Sequence, residues 1–169
     1  MQELHIQGGG FMAYKKVLVP FDGSDHAKSA LGIAKQLLSK DEDAKIFVIN
    51  IVPMSVIPAI TNAGPALGTS VTFTDYDAYS ELFESTLEGF REEMIESIGD
   101  TLDDIDTSKI QIEAVAHPSP VHGIIDYADE HDCDIIVMGR RGLGAVRGLL
   151  GSVSYGVLRS IDIPVMTVK

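Results

Sequence analysis

Residues 134–154 read DIIVMGRRGLGAVRGLLGSVS. The first five form a short apolar, β-branched run, the pattern of a strand covered on both faces. The sixteen that follow, 139–154, hold five glycines, three arginines and two serines. A short helix then runs through Leu158. Strand, glycine-rich turn and helix in that order make one βα unit of a parallel sheet, with the turn carrying the chemistry.

Outward from this stretch the same unit recurs. Lys16 to Pro20 (KVLVP) reads as a buried strand, and the FDGSD turn after it offers Ser24 as helix N-cap. Ala27, Ala30, Leu31, Ala34, Leu37 and Leu38 recur at three- and four-residue spacing, so a helix runs to about Ser39. Lys45 to Val52 (KIFVINIV) is a second strand. Pro53 to Thr74 shows neither period and reads as a long loop, the kind that serves as a functional lid. Asp75 to Ile98 carries Tyr79, Leu82, Phe83, Leu87, Phe90, Met94 and Ile98 on one face, a long amphipathic helix that Gly99 is placed to end. Ile110 to Ala116 is a third strand, Val121 to Glu130 a helix, and Pro164 to Val168 (PVMTV) a fifth strand after DIIVM.

This βαβαβαβαβ order predicts a single α/β domain: a five-stranded parallel sheet with helices on both faces, in a doubly wound, Rossmann-like arrangement. Such sheets bind ligands beyond the carboxyl ends of their strands, where strand order reverses. The richest turns follow strands one and four. The order 3-2-1-4-5 makes those strands neighbours, so that VPFDGS and GRRG face each other across the crevice.

At 169 residues the chain suits one core, placed here at residues 14–169, with residues 1–13 and their QGGGF linker read as a disordered extension. No apolar run approaches the roughly 20 residues that span a bilayer, and the N-terminus lacks the order of a signal peptide, so the expectation is a cytoplasmic protein without a membrane partner. The lone Cys133, beside an apolar strand, reads as a buried and inert thiol. A formal charge of −12 argues against nucleic acid as a partner. That charge is uneven. Five basic residues against the single Asp162 give residues 139–169 a charge of +4, leaving −16 on the remainder, and a cationic island of this size suits one small anion.

The glycine-rich turn fits that anion. Gly139 and Gly142 bracket the end of strand four, where glycine permits positive φ or close approach and backbone N–H groups can form a nest. Ser152 is placed to cap the next helix, whose first-turn N–H groups and dipole favour negative charge. Ser152 and Ser154 offer hydroxyl donors, and Arg140 and Arg141 offer charge. No G-x-x-x-x-G-K-[ST] is present, so a P-loop is excluded. Gly142, Gly144 and Gly148 match a dinucleotide G-x-G-x-x-x-G, but Asp162 precedes Pro164 instead of ending a second strand, which counts against that reading.

GRRG followed by GS, with PFDGS after the first strand and IPVMTVK at the end, resembles the ATP-binding branch of the universal stress protein family over Tyr14 to Lys169. The family signature is G-x-x-G, nine residues, then G-[ST]; here eight residues separate Gly142 from Gly151, and Pro118 stands where the family often has glycine. The resemblance implies a role for each matching position. Pro20 and Asp22 would lie against the nucleoside, with Asp22 accepting from ribose hydroxyls. Ile51 would hydrogen-bond adenine through its backbone, and Met138 and Gly139 would border base and sugar. Gly142, Gly151, Ser152, Val153 and Ser154 would hold the phosphates, with Arg140 and Arg141 beside them. The ligand would be ATP, ADP or AMP, and Mg²⁺ can accompany the phosphates. Asp22 also has a simpler role open to it, as a cap for the first helix.

Enzymatic chemistry has thin support. His5, His26, His117, His122 and His131 form no H-E-x-x-H or Cys-His pattern, Asp126 is spaced to pair with His122 on a helix surface, and no G-x-S-x-G elbow occurs. No catalytic residue or metal site is assigned. The expected function is an adenine-nucleotide-binding regulatory stress-response protein. Two alternatives stay open: a structural dimer of the same fold without nucleotide, which the eight-residue spacing supports, and a slow ATPase. A homodimer through the last strand, residues 164–168, would satisfy an otherwise open sheet edge.

Overall fold

Val17, Leu18 and Val19 are fully buried, as the central strand of a parallel sheet must be. The structure, a computed structural model that describes residues 13–57, 76–143 and 150–169, places them in β1 (Lys16–Pro20). β1 pairs with β2 (Lys45–Val52) on one side and β4 (Ile135–Gly139) on the other. β3 (Ile110–Ala116) and β5 (Val165–Val168) form the two edges, every pairing is parallel, and the order is β3-β2-β1-β4-β5. The expected topology is thus the observed one. Residues 1–12, most of the expected long loop, and the dinucleotide-like Gly144 and Gly148 lie outside the described residues.

Alternation along the strands splits the core in two. Val17, Val19, Val48 and Val137 pack against α1 (Asp25–Leu37) and α2 (Tyr76–Ile98) through Ala30, Leu31, Met94 and Ile98. Leu18, Ile49, Ile136 and Met138 pack on the opposite face, against Ile124 and Tyr127 of α3 (Pro120–Glu130) and Val157 of α4 (Ser152–Ser160). Helices therefore cover both faces.

Local chemistry fixes the helix ends. Ser24 Oγ accepts the Ala27 N–H at 3.2 Å, the expected N-cap of α1. α2 stops at Gly99, which takes φ +54° and opens a short 3-10 turn to Leu102. Ser119 caps α3, and Pro120 occupies its first turn. α4 crosses α3 closely: a Cβ on Gly156 would stand 2.7 Å from Val121 Cγ2.

The two sheet edges differ. His117 N–H donates to Val52 O, so by alternation the backbone of Ile112 faces away from β2, towards the open side. There its carbonyl accepts from Arg91 Nε at 3.0 Å, a charged side chain of α2 blunting the edge. Among the described residues no comparable group covers the free edge of β5. No helix among the described residues is long and apolar enough to cross a membrane.

Candidate functional site

Beyond the carboxyl ends of β1, β2 and β4 lies a cavity of about 560 Å³, at the topological switch point where a doubly wound sheet opens. The site residues named from the sequence converge on it. Pro20, Asp22, Ile51, Met138, Gly139, Arg141, Gly142, Gly151, Ser152, Val153 and Ser154 all line it.

Arg140 is the exception. Its N–H donates to Val168 O at 2.7 Å and its carbonyl accepts the Gly151 N–H at 2.9 Å, so its backbone prolongs the β4–β5 pairing and ties the turn to α4. Its side chain is not part of the cavity wall, and its Nε is buried without a hydrogen-bond partner among the described residues. Arg141, one residue on, does line the cavity.

The glycines serve close approach. Neither Gly139, Gly142 nor Gly151 has positive φ; among the described glycines only Gly23 and Gly99 do. A Cβ on Gly139 would stand 3.0 Å from the Ala27 nitrogen and the His26 carbonyl carbon, so the residue lets the first turn of α1 press on the end of β4. A Cβ on Gly142 would overlap Asp22 Oδ2. Asp22 in turn is held by its own turn, Oδ1 accepting the Ser24 N–H at 3.1 Å, while Ser24 Oγ donates to Arg141 O at 3.5 Å. The loops after β1 and β4 are thereby joined around one carboxylate.

The start of α4 differs from expectation in two respects. Its N-cap is Gly151, with extended φ −63° and ψ 150°, and Ser152 is the first helical residue. A Cβ on Gly151 would meet the Arg140 oxygen and the Arg141 Cα at 3.4 Å, an ordinary contact, so space alone does not demand glycine there. With no side chain at the cap, the first-turn N–H groups of Ser152, Val153 and Ser154 are left without intrahelical partners at the cavity. Second, the buried Ser154 hydroxyl donates to Gly139 O at 2.9 Å. That donor is spent on joining α4 to β4, which leaves Ser152 as the exposed hydroxyl.

At the other end of the cavity, Phe21 N–H donates to Ile49 O at 2.7 Å. The backbone of Ile49 therefore faces β1. Ile51, one alternation further, turns its N–H and C=O the same way, past the last residue of β1 and along the cavity it lines.

Sequence reasoning missed Phe21, Asn50, Pro120 and Ile124, which also line the cavity. Asn50 had a visible signal, as the single polar residue within the apolar run of β2. Pro120 and Ile124 come from α3: helical spacing gave the inward face of Ile124 but not its target, and Pro120 precedes the expected start of the helix at Val121.

The remaining titratable groups lie elsewhere. Among the described residues no histidine lines the cavity, and no trio of His, Cys, Asp or Glu is placed to hold a metal. Asp126 pairs with His117, Nε2 to Oδ2 at 3.4 Å, instead of His122, whose Nδ1 sits 3.1 Å from Ser119 Oγ. The turn preceding α3 brings His117 over that helix, and the cap draws His122 back. Burial pushes the Cys133 thiol up to about 12, in line with an inert thiol. Burial, with the hydrogen bond to Glu113 Oε2 at 2.8 Å, also raises the Tyr127 hydroxyl.

Comparison with known proteins agrees with this architecture. The family model described as universal stress protein family matches residues 13–169. A universal stress protein of Methanocaldococcus jannaschii is 32% identical over 161 residues, covering 92% of this chain and 82% of that protein. Universal stress protein UspA from Lactobacillus plantarum shares the fold with a TM-score of 0.61 at 22% identity, covering 93% of this chain and 99% of that one. A further universal stress protein, solved in complex with cAMP, has a TM-score of 0.54 at 25% identity, covering 93% and 98%. With the glycine-rich turn on the end of β4 and a family match spanning the whole described sheet, this chain belongs to the universal stress protein family.

Proposed function

We propose that this protein binds an adenine nucleotide, with ATP as the first candidate, and that it acts as a nucleotide-responsive regulator in the stress response. One observation carries the reading. The cavity has a backbone N–H and C=O from Ile51 at one end and the uncapped first turn of α4 at the other. The first pair can read a purine edge, and the second can hold phosphate oxygens. Between them Asp22 offers a carboxylate of the kind that accepts from ribose hydroxyls. Arg141 supplies positive charge on the phosphate side, and Met138 and Phe21 supply apolar wall. The cAMP complex of a relative supports an adenine nucleotide in this fold.

Among the described residues of the cavity no general base is paired with a nucleophile, which favours a reading of binding over turnover. Mg²⁺ would enter with the phosphates, using their oxygens and Asp22. We also propose a homodimer through β5. Among the described residues its free edge leaves the backbone groups of Val165 and Thr167 unpaired, whereas on the β3 edge Arg91 holds the Ile112 carbonyl.

Calorimetric titration of ATP with Mg²⁺, beside a Gly151→Val variant, tests the reading. The valine Cβ itself would be tolerated, 3.4 Å from the Arg140 oxygen and the Arg141 Cα, while its branched methyls add bulk at the first turn of α4 where phosphate oxygens would bind. Binding by the parent that the variant loses is the expected result. A folded parent that binds no nucleotide at millimolar concentration overturns it in favour of a structural dimer.

A further inference from the structure

Asn50 stands in β2 where the fold gives no reason for a polar side chain. Val48, Ile49, Ile51 and Val52 around it are apolar. Its neighbours on the adjoining strands are Ala114 of β3 and, one step beyond the Pro20–Ile49 pair, Phe21. Neither side chain offers it a hydrogen bond. Among the described residues the Asn50 amide has no hydrogen-bond partner, although it is only partly exposed. An amide held half-buried and unpaired costs stability.

What Asn50 does have is a place on the cavity wall, beside Ile51. Side chains alternate along β2: Ile46 and Val48 join the core beneath α1 and α2, whereas Phe47 and Ile49 join the core beneath α3 and α4. Asn50 therefore falls on the α1 and α2 face. The cavity reaches that face through Phe21 and Ala27, and the other through Ile124 and Met138. A base seated past the end of β1, against the Ile51 peptide, has the preceding residue, Asn50, beside it.

The two groups offer the same chemistry. The Ile51 peptide carries an N–H and a C=O, and the Asn50 amide carries an NH₂ and a C=O. Adenine suits two such readers. Its 6-amino group has one hydrogen towards the N1 edge and one towards N7, each beside a ring nitrogen that accepts. A 6-oxo purine places a carbonyl oxygen there and presents two acceptors side by side at N7, so the amide oxygen goes unpaired.

Resting on the nucleotide reading above, we propose that Asn50 is a specificity-determining residue of the cavity: its amide reads one edge of the adenine while the Ile51 peptide reads the other, and together they select a 6-amino purine over a 6-oxo purine.

The test is calorimetric titration of ATP and of inosine triphosphate, which carries an oxygen in place of the 6-amino group, into the parent, Asn50→Leu and Asn50→Val. Leucine comes close to the shape of asparagine without its polar atoms, and valine is at home in a strand. The Ile51 peptide is common to all three proteins, so its share of the selectivity cancels when their affinity ratios are compared. The parent should bind ATP more tightly than inosine triphosphate, and that preference should fall about tenfold in the variants, through loss of ATP affinity. An unchanged preference in variants shown to be folded by thermal melting, or a parent that binds both nucleotides equally, overturns the role of Asn50 and leaves nucleotide binding standing. Unfolding of both variants also overturns it, because the fold would then need the amide. A parent that binds neither nucleotide overturns both readings.

Discussion

Asp22 Oδ2 and Gly142 stand so close that no Cβ fits between them. The same carboxylate is fixed through Oδ1 by the Ser24 N–H at 3.1 Å, so it has little room to retreat. Gly142→Ala therefore displaces either Asp22 or the turn after β4. We expect nucleotide affinity to fall about tenfold or more, roughly 1.4 kcal/mol of binding free energy, with a small change in melting temperature because Gly142 is exposed. Calorimetry beside thermal melting separates the two effects. An alanine variant that binds like the parent would show that the carboxylate plays no part in the site.

The two serines of α4 make opposite predictions. Ser154→Ala removes a buried donor from Gly139 O, a bond of 2.9 Å, and should cost about 1–2 kcal/mol of stability by leaving that carbonyl short of a partner. Ser152→Ala touches an exposed hydroxyl at the start of the helix and should change stability by less than about 0.5 kcal/mol. Its effect belongs to nucleotide affinity. Urea unfolding and ATP titration of both variants check the assignment, and a Ser152 variant that loses stability while the Ser154 variant does not would reverse it.

These assignments mark how far the sequence was legible. β2 and β3 begin and end at the residues that apolar content and turn chemistry indicate, and the order β3-β2-β1-β4-β5 follows from placing two rich turns side by side. The exact cap of α4 was not legible. Serine is the commoner N-cap, yet Gly151, which is also accepted at that position, takes the cap and Ser152 stands inside the helix. Arg140 and Arg141 are indistinguishable as letters. Only the hydrogen bond from Arg140 N–H to Val168 shows which of them continues the strand. Contributions from α3, such as Ile124, depend on how the helix crosses the sheet, which periodicity does not encode. The same is true of Asp126, whose partner His117 comes from the turn before the helix.

The edges of the sheet give a prediction about assembly. Thr167 turns its N–H towards the free side of β5, because Val168 and Pro164 are the residues bonded to β4. Thr167→Pro removes that donor without breaking a bond inside the chain. Sedimentation should find the parent a dimer and the variant a monomer of unchanged fold. A parent that sediments as a monomer at high micromolar concentration rejects the β5 dimer. Arg91→Ala is the complementary change: it uncovers Ile112 O on β3 and should promote association at that edge, read as a concentration-dependent rise in light scattering.

Alkaline pH probes the core beneath α3. Burial raises the Cys133 thiol from an ordinary 9.0 to about 12, and burial with the Glu113 contact raises the Tyr127 hydroxyl from 10.0. In both cases the folded state keeps a proton that the unfolded chain releases first. Stability is therefore whole below about pH 9 and falls as pH rises, by at most about 1.4 kcal/mol per pH unit for each group. Urea midpoints measured from pH 8 to 11 should decline, and Cys133→Ala should flatten the first part of that decline. A chromogenic disulfide reagent at pH 8 should react with Cys133 only as fast as the protein opens, because the folded thiol is protonated and 5% exposed. Rapid labelling of the folded protein at that pH would contradict the raised thiol and place Cys133 in a more open environment than the packing of Ile136 and Tyr127 around it allows.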